Sequence, residues 1–291
     1  MKTGSVLALL LTSCTLAACS QDPGNPASQT TPPPASPALA GNLETVTSTT
    51  IRGQVTGPMG PEAGVWVIAE THDLGTRFAR IVVTDDEGNY LIPELPDAQY
   101  SLWVRGYGLI DSEKTTTRPG VTLDMQAVPA PDAAAAAEYY PAGYWLSMLE
   151  IPAVDQFPGT GPLGNGISPL VQHQADYIRQ VSSGGCFVCH QIGNKATRTL
   201  PELFNGYDTS AAAWARRIQS GQAGGFMTRI LAGMGLEATT QMFGNWSDRV
   251  AAGELPPVPE RPKGLERNVV ITEWDWADPT AYLHDVVSTD R

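Results

Sequence analysis

Two cysteines and a histidine lie close together in the second half of the chain, in the run Cys186-Phe187-Val188-Cys189-His190. Two thiols three positions apart on a helical turn can each add to one vinyl group of a haem, and the next residue can supply a nitrogen to the iron. A redox-active thiol pair is an alternative at this spacing, whereas a zinc site would need further ligands. The sequence therefore predicts one covalently attached c-type haem, held by Cys186, Cys189 and His190.

The elements on either side of this motif are expected to be helices. Ser168 followed by Pro169 is a reasonable helix start. Apolar residues recur at three- and four-residue steps, which predicts a helix over 168–182; those on its apolar face are Ile167, Leu170, Val171, Ile178 and Val181. After the motif, Asp208-Thr209-Ser210 can cap a second helix that runs through Ile218, and helices are also expected over 226–234 and 238–252. The haem motif would then lie in a turn of an all-helical unit.

This unit, residues 166–255, resembles a class I monohaem cytochrome c in the order of its first helix, its haem loop and its final aromatic-bearing helix. The resemblance implies an all-α cytochrome c domain that transfers electrons to or from a redox partner protein. It also implies that a methionine from a downstream loop supplies the sixth ligand of the iron, and a thioether in that position raises the reduction potential.

Three methionines are candidates for that ligand. Met227 follows Gly224-Gly225-Phe226 at the start of the helix expected over 226–234, and because of the two glycines we expect it on a loop facing the iron. Met234 has a glycine on each side, which is also a loop-like setting, whereas Met242 lies on the apolar stripe of a helix, where a core role is more common. We take Met227 as the expected ligand, with Met234, Met242 or an open site as the alternatives.

Other titratable residues near the motif have less specific roles. One or two of the local cations could pair with the haem propionates, although each is more often a solvated surface charge; they are Arg198, Arg216, Arg217 and Arg229. His72, His173 and His284 lie far from the motif in sequence, and His173 falls on the polar side of its expected helix.

Residues 49–128 have a different pattern, in which short alternating runs are separated by turn clusters, as in an antiparallel β-sandwich. The segment resembles a carboxypeptidase regulatory-like domain in the runs Gly53-Gln54-Val55, Gly64-Val65-Trp66-Val67, Thr84-Asp85-Asp86-Glu87-Gly88-Asn89-Tyr90 and Leu95-Pro96-Asp97-Ala98-Gln99-Tyr100. The resemblance implies an all-β, prealbumin-like sandwich that serves as a spacer or binds a carbohydrate or protein ligand, without peptidase activity. The expected fold class is therefore multidomain, with this sandwich followed by the all-α cytochrome c domain.

The N-terminus resembles a bacterial lipoprotein signal peptide, residues 1–18, which ends in Leu16-Ala17-Ala18-Cys19. Lipidation of Cys19 would anchor the chain to a membrane through acyl chains rather than a helix. Cleavage at Cys14 is a second possibility, and a soluble periplasmic protein is a third. Residues 19–48 are rich in Pro, Ser and Thr, which favours a disordered tether, so we expect an exported lipoprotein in the periplasm or on the outer membrane.

The remaining segments are a connector over 129–165 and a C-terminal extension over 256–291. With the upstream modules, the extension resembles the middle of larger bacterial proteins that continue into a streptogramin-lyase-like β-propeller; the alternative is that Val269 to Trp276 packs across the helical unit.

A net charge of −12 and a pI near 4.7 argue against nucleic-acid binding. No catalytic base, nucleophile pair or phosphate loop stands out, so we expect an electron carrier rather than an enzyme. One alternative is a carbohydrate- or partner-binding adaptor for a periplasmic oxidoreductase. The other is a haem ligand sensor with an open sixth coordination site on the iron.

Overall fold

The computed structural model describes residues 47–188 and 190–274. Cys14, the predicted lipidation site Cys19, most of the predicted tether, Cys189 and residues 275–291 lie outside these ranges. All described residues belong to one compact unit of the chain. Within the described ranges, no helix is long and apolar enough to cross a bilayer.

The first part of the described chain consists mainly of strands, which we number in chain order. They are β1 Ile51–Gly57, β2 Gly60–Pro61, β3 Trp66–Leu74, β4 Thr76–Val83, β5 Asn89–Ile92, β6 Tyr100–Arg105, β7 Leu109–Ile110, β8 Thr115–Thr117, β9 Val121–Thr122, β10 Met125–Gln126 and β11 Val128–Pro129. A further strand, β12 Val270–Trp274, lies at the end of the described chain, after the helices.

Two five-stranded sheets enclose a shared apolar core. In one sheet β1 is central and pairs with β2, β5, β9 and β10, and in the other the order is β12-β4-β3-β6-β8. The alternation of β1 buries Ile51 and Val55 in this core. The turn before β5 is closed by Asp85, whose carboxylate accepts from the backbone N–H of Asn89 at 2.7 Å, and by Gly88 at a φ of +76°.

Seven α-helices follow β11 in the described chain, and they surround a second apolar core. They are α1 Ala133–Ala137, α2 Ala142–Leu146, α3 Gln174–Ser182, α4 Lys195–Arg198, α5 Ser210–Arg217, α6 Gly224–Met234 and α7 Leu236–Ala251. Short 3-10 turns occur at Val154–Gln156, Cys186–Val188, Glu202–Phe204 and Gly264–Asn268. The large side chains at the centre of this core are Trp145, Tyr177, Met234, Phe243 and Trp246.

The helix expected over 168–182 is shorter than predicted, since α3 begins at Gln174. The preceding residues are held by contacts with another part of the chain: the N–H of Ser168 donates to the carbonyl of Met234 at 3.0 Å. Leu170 consequently points into solvent, whereas the sequence pattern predicts it on the apolar face. Tertiary pairing therefore overrides the local periodicity here.

The expected fold class, an all-β sandwich followed by an all-α cytochrome c domain, is wrong. The structure is mixed α/β, with about 31% helix and 21% strand. After the last α-helix the chain returns to the sheets, where β12 pairs antiparallel with β4 from Val270 opposite Val82 to Trp274 opposite Phe78. This pairing satisfies backbone groups along one side of β4, so the strand-like run near the C-terminus extends a sheet instead of packing across the helices.

Candidate haem site

The predicted haem motif forms a tight turn directly after α3. Gly185 brings the chain close to the end of that helix, since a Cβ atom there would lie 2.4 Å from the carbonyl oxygen of Gln180. The backbone N–H of His190 then donates to the carbonyl of Cys186 at 2.9 Å. This i to i+4 bond brings the thiol of Cys186 and the imidazole of His190 onto the wall of the same cavity. The predicted attachment residue Cys189 lies outside the described residues.

That cavity has a volume of about 360 Å³, within the ~300–1,000 Å³ of typical ligand sites. Aromatic and aliphatic side chains from α5, α6, α7 and the Glu202–Phe204 turn form most of its wall. Besides Cys186 and His190, the lining includes Ile192, Leu203, Phe204, Trp214, Arg217, Ile218, Phe226, Met227, Ile230, Leu231 and Phe243. Trp214 and Phe243 stack with ring centroids 4.9 Å apart, which stiffens the side formed by α5 and α7.

The imidazole of His190 has one nitrogen that is buried without a partner in the described chain. Its Nδ1 atom is buried and has no hydrogen-bond partner among the described residues, and buried polar atoms in native proteins nearly always have one. Burial lowers the pKa of His190, and the positive charge of Arg217 lowers it further. Both effects favour the neutral imidazole, the form that binds a metal.

The thiol of Cys186 is half-buried against the helical core. Burial raises the pKa of Cys186 to about 11. A free thiol in this setting is therefore protonated at neutral pH, and it lies in the apolar surroundings that a macrocycle needs on its faces. The cavity, the unpartnered imidazole nitrogen and the adjacent thiol together fit a covalently attached haem.

The three candidate methionines differ in their positions relative to the cavity. Met227 lies in the first turn of α6, where its N–H donates to the carbonyl of Ala223, so the expectation of a loop position is wrong. Its side chain nevertheless lines the cavity that His190 lines. Met234 and Met242 are buried members of the helical core, 1% and 6% exposed, and neither belongs to the cavity wall.

Among the four arginines considered as propionate partners, Arg217 lines the cavity. Its guanidinium lies 4.6 Å from the centroid of the Trp214 ring and donates to the carbonyl oxygens of Thr199 and Ala196. Burial lowers the pKa of Arg217, as expected for a cation in an apolar wall. Arg198 instead lies over Trp145, with 4.1 Å to the ring centroid.

The other predicted polar residues lie away from the cavity. Arg216 donates a hydrogen bond to the hydroxyl of Ser220, and Arg229 lines a different pocket, beside α3. His72 and His173 are exposed to solvent. His284 lies outside the described residues. Sequence reasoning missed the Glu202–Phe204 turn, which contributes Leu203 and Phe204 to the cavity, because two apolar residues in a short polar stretch have no periodicity.

No group of three or more His, Cys, Asp or Glu side chains that could hold a metal ion occurs in the ranges 47–188 and 190–274. Any metal held here by His190 would therefore depend on a macrocycle or on ligands of other types. This is compatible with the chemistry of haem, in which a porphyrin supplies four of the iron ligands.

Comparisons with known proteins leave the family open. No family model matches the chain, and no curated protein matches it. Among solved structures, a type II cohesin–X-dockerin complex from Acetivibrio cellulolyticus is 13% identical over 29% of this chain and 60% of that one, with a TM-score of 0.23. The TIE protein of Bacillus anthracis is 18% identical over 28% of this chain and 16% of that one, with a TM-score of 0.23.

A third match is a 9R-lipoxygenase from Cyanothece, which is 15% identical over 62% of this chain and 30% of that one, with a TM-score of 0.20. In all three cases the chain spans less than two thirds of the protein it matches. Scores this low establish neither a shared fold nor a shared function.

Proposed function

We propose that this protein transfers electrons through one haem, attached covalently by Cys186 and Cys189 and ligated by His190. The observation that carries the proposal is the buried, unpartnered Nδ1 of His190 next to Cys186 on the wall of an apolar cavity. When bound, a haem in this environment supplies one-electron chemistry, because its iron alternates between the ferrous and ferric states.

The residues of the cavity have distinct roles in this proposal. The stacked rings of Trp214 and Phe243 would shield one side of a bound haem from water. Exclusion of solvent and the identity of the iron ligands are means by which a protein sets a haem potential. Met227 would supply a second protein ligand to the haem iron, since it lines the same cavity as His190. Arg217 places a cation on the wall, suited to a propionate carboxylate.

The proposed setting is an exported lipoprotein anchored through Cys19, in the periplasm or on the outer membrane, that exchanges electrons with a partner protein. The two sheets would act as a spacer between anchor and haem, or bind a carbohydrate or protein. The support for export is the sequence of residues 1–19 together with the haem motif.

Covalent attachment is tested by producing the chain in a bacterium that matures c-type cytochromes, with haem detected after denaturing electrophoresis. We expect the wild type to retain haem on the denatured chain. Cys186→Ser and Cys189→Ser should each weaken the retention, and the double variant should abolish it. Cys19→Ser is the matched control, because it should keep the haem and lose the lipid. A wild-type chain without covalent haem under these conditions would refute the proposal.

Carbon monoxide distinguishes an electron carrier from a ligand sensor. If Met227 occupies the second axial position, the reduced protein should bind carbon monoxide slowly or not at all, and Met227→Ala should bind it rapidly. Rapid binding by the wild type would show an open site, and a sensor function would replace the proposed carrier.

A further inference from the structure

The strand β12 presents an open edge on the second sheet. It pairs with β4 on one side, and no other described strand pairs with its outer side. Both faces of the strand are also accessible: Val270 is 48% exposed, Ile271 40% and Trp274 59%. An exposed edge strand with apolar side chains is a template for pairing with another strand.

The opposite edge of the same sheet is different. β8 consists of three threonines, and it is flanked by Lys114 and by Arg118-Pro119. Charged residues and proline beside an edge strand oppose pairing with other chains. β12 contains neither lysine nor proline, and its five-residue register with β4 has no bulge. Among the described residues, the sheet is therefore protected at the β8 edge, and no strand covers the β12 edge.

We propose that β12 is a homodimer interface, in which β12 of a second copy pairs with it antiparallel about a two-fold axis at Thr272. In this register apolar residues of the sequence Val-Ile-Thr-Glu-Trp face each other at both ends of the strand, and Ile271 lies opposite the partner's Glu273. Val270 lies opposite the partner's Trp274, and Trp274 opposite the partner's Val270, which are β-branched–aromatic pairs that stabilise antiparallel strands. Thr272 lies opposite Thr272 of the partner subunit.

The charges of the strand are compatible with this pairing. Its one ionisable residue, Glu273, has its carboxylate 3.6 Å from the guanidinium of Arg77 and lies opposite Ile271 in the proposed register, so no like charges are directly opposed. The net charge of −12 still repels two copies. We therefore expect the association to strengthen as salt screens that repulsion.

Sedimentation of the purified full chain tests the association. Because two five-residue strands form a small interface, we expect mainly monomer at about 1 µM and mainly dimer at about 1 mM.

Val270→Lys should lower the association constant by about tenfold or more. Met59→Lys is the matched control, since Met59 is a 97% exposed apolar residue in the β1–β2 turn, and it should leave the constant unchanged. A monomer at every concentration, or a dimer insensitive to Val270→Lys, would overturn the proposal.

Cross-linking tests the register. In the proposed pair the two Thr272 Cβ atoms are about 5 Å apart, so Thr272→Cys should give a disulfide-linked dimer under mild oxidation. Ile271→Cys should react much less, because the two copies of residue 271 are diagonal to each other. The wild type under the same oxidant reports any reaction of the native cysteines. Equal yields from the two variants, or none from Thr272→Cys, would refute the two-fold axis at Thr272, and this outcome does not depend on haem attachment.

Discussion

The hydroxyl groups of Tyr177 on α3 and Thr239 on α7 share a hydrogen bond of 2.8 Å, and both side chains are fully buried. The two residues are 62 positions apart, so this bond joins distant parts of the chain. α3 leads into the Cys186 turn, and α7 carries Phe243 in the cavity wall. The bond therefore fixes the two sides of the candidate site relative to each other.

Removal of this hydrogen bond should destabilise the fold. Tyr177→Phe and Thr239→Val should each lower the free energy of unfolding by ~1–3 kcal/mol, because each leaves one buried hydroxyl unpaired or removes the bond. The double variant should cost less than the sum of the two, by ~1 kcal/mol. Urea unfolding measures both quantities. Tyr207→Phe, at an exposed tyrosine, is the control and should be nearly neutral; full additivity of the two core variants would contradict the proposed coupling.

The three methionines should respond differently to substitution. If the chain holds the proposed haem, Met227→Ala should change the visible spectrum of the oxidised protein, with loss of the weak red band that marks methionine ligation in class I cytochromes. Met234→Ala and Met242→Ala should leave that spectrum unchanged and lower the free energy of unfolding by ~2–5 kcal/mol, because both side chains are buried in the core. A spectrum that changes only in Met242→Ala would assign the ligand to α7 and contradict the cavity geometry.

The sequence predicts the local elements of the site better than their tertiary arrangement. The spacing of Cys186 and His190 requires a turn, and the structure has one. The loop position expected for Met227 is wrong because glycines 224 and 225, which suggest a loop in isolation, are accommodated at the start of α6. Gly224 is also packed closely, since a Cβ atom there would lie 2.5 Å from the carbonyl of Gln219. Close packing of this kind is a tertiary property that sequence alone does not indicate.

The predicted fold class is wrong for a related reason. Composition and periodicity describe each segment separately, so a β-rich first half and a helical second half suggest two successive domains. The pairing of Val270 with Val82 joins residues far apart in sequence, and no local pattern predicts such a pair. Likewise, Leu170 and Ile178 fit the helical periodicity, yet both are exposed. The buried residues of α3 are Val181, which fits the periodicity, and Tyr177, which does not.

Alkylation of Cys186 should depend on pH in a way that reports its burial. The pKa of about 11 is above the usual value for cysteine, so the folded state favours the protonated thiol. In a haem-free chain whose other cysteines are replaced by serine, reaction with iodoacetamide should stay slow at pH 8–9 and accelerate toward pH 11, since the thiolate is the nucleophile. The same chain in denaturant is the control and should react rapidly near pH 8.5. Rapid reaction of the folded chain at pH 8 would show that the thiol is not buried in this way.

Two neighbouring glycines provide a matched test of the junction between α6 and α7. Gly235 has a φ of +105°, and a Cβ atom there would lie 2.1 Å from the carbonyl oxygen of Gly166. Gly235→Ala should therefore lower the free energy of unfolding by ~2 kcal/mol or more, from backbone strain and steric clash. Gly233 lies within α6 with no atom near the position of a Cβ, so Gly233→Ala should raise it by ~0.5–1 kcal/mol through helix propensity. Thermal and urea unfolding measure both changes. Equal effects of the two substitutions would contradict the close approach of residues 166–168 to this junction, and with it the reason that α3 begins only at Gln174.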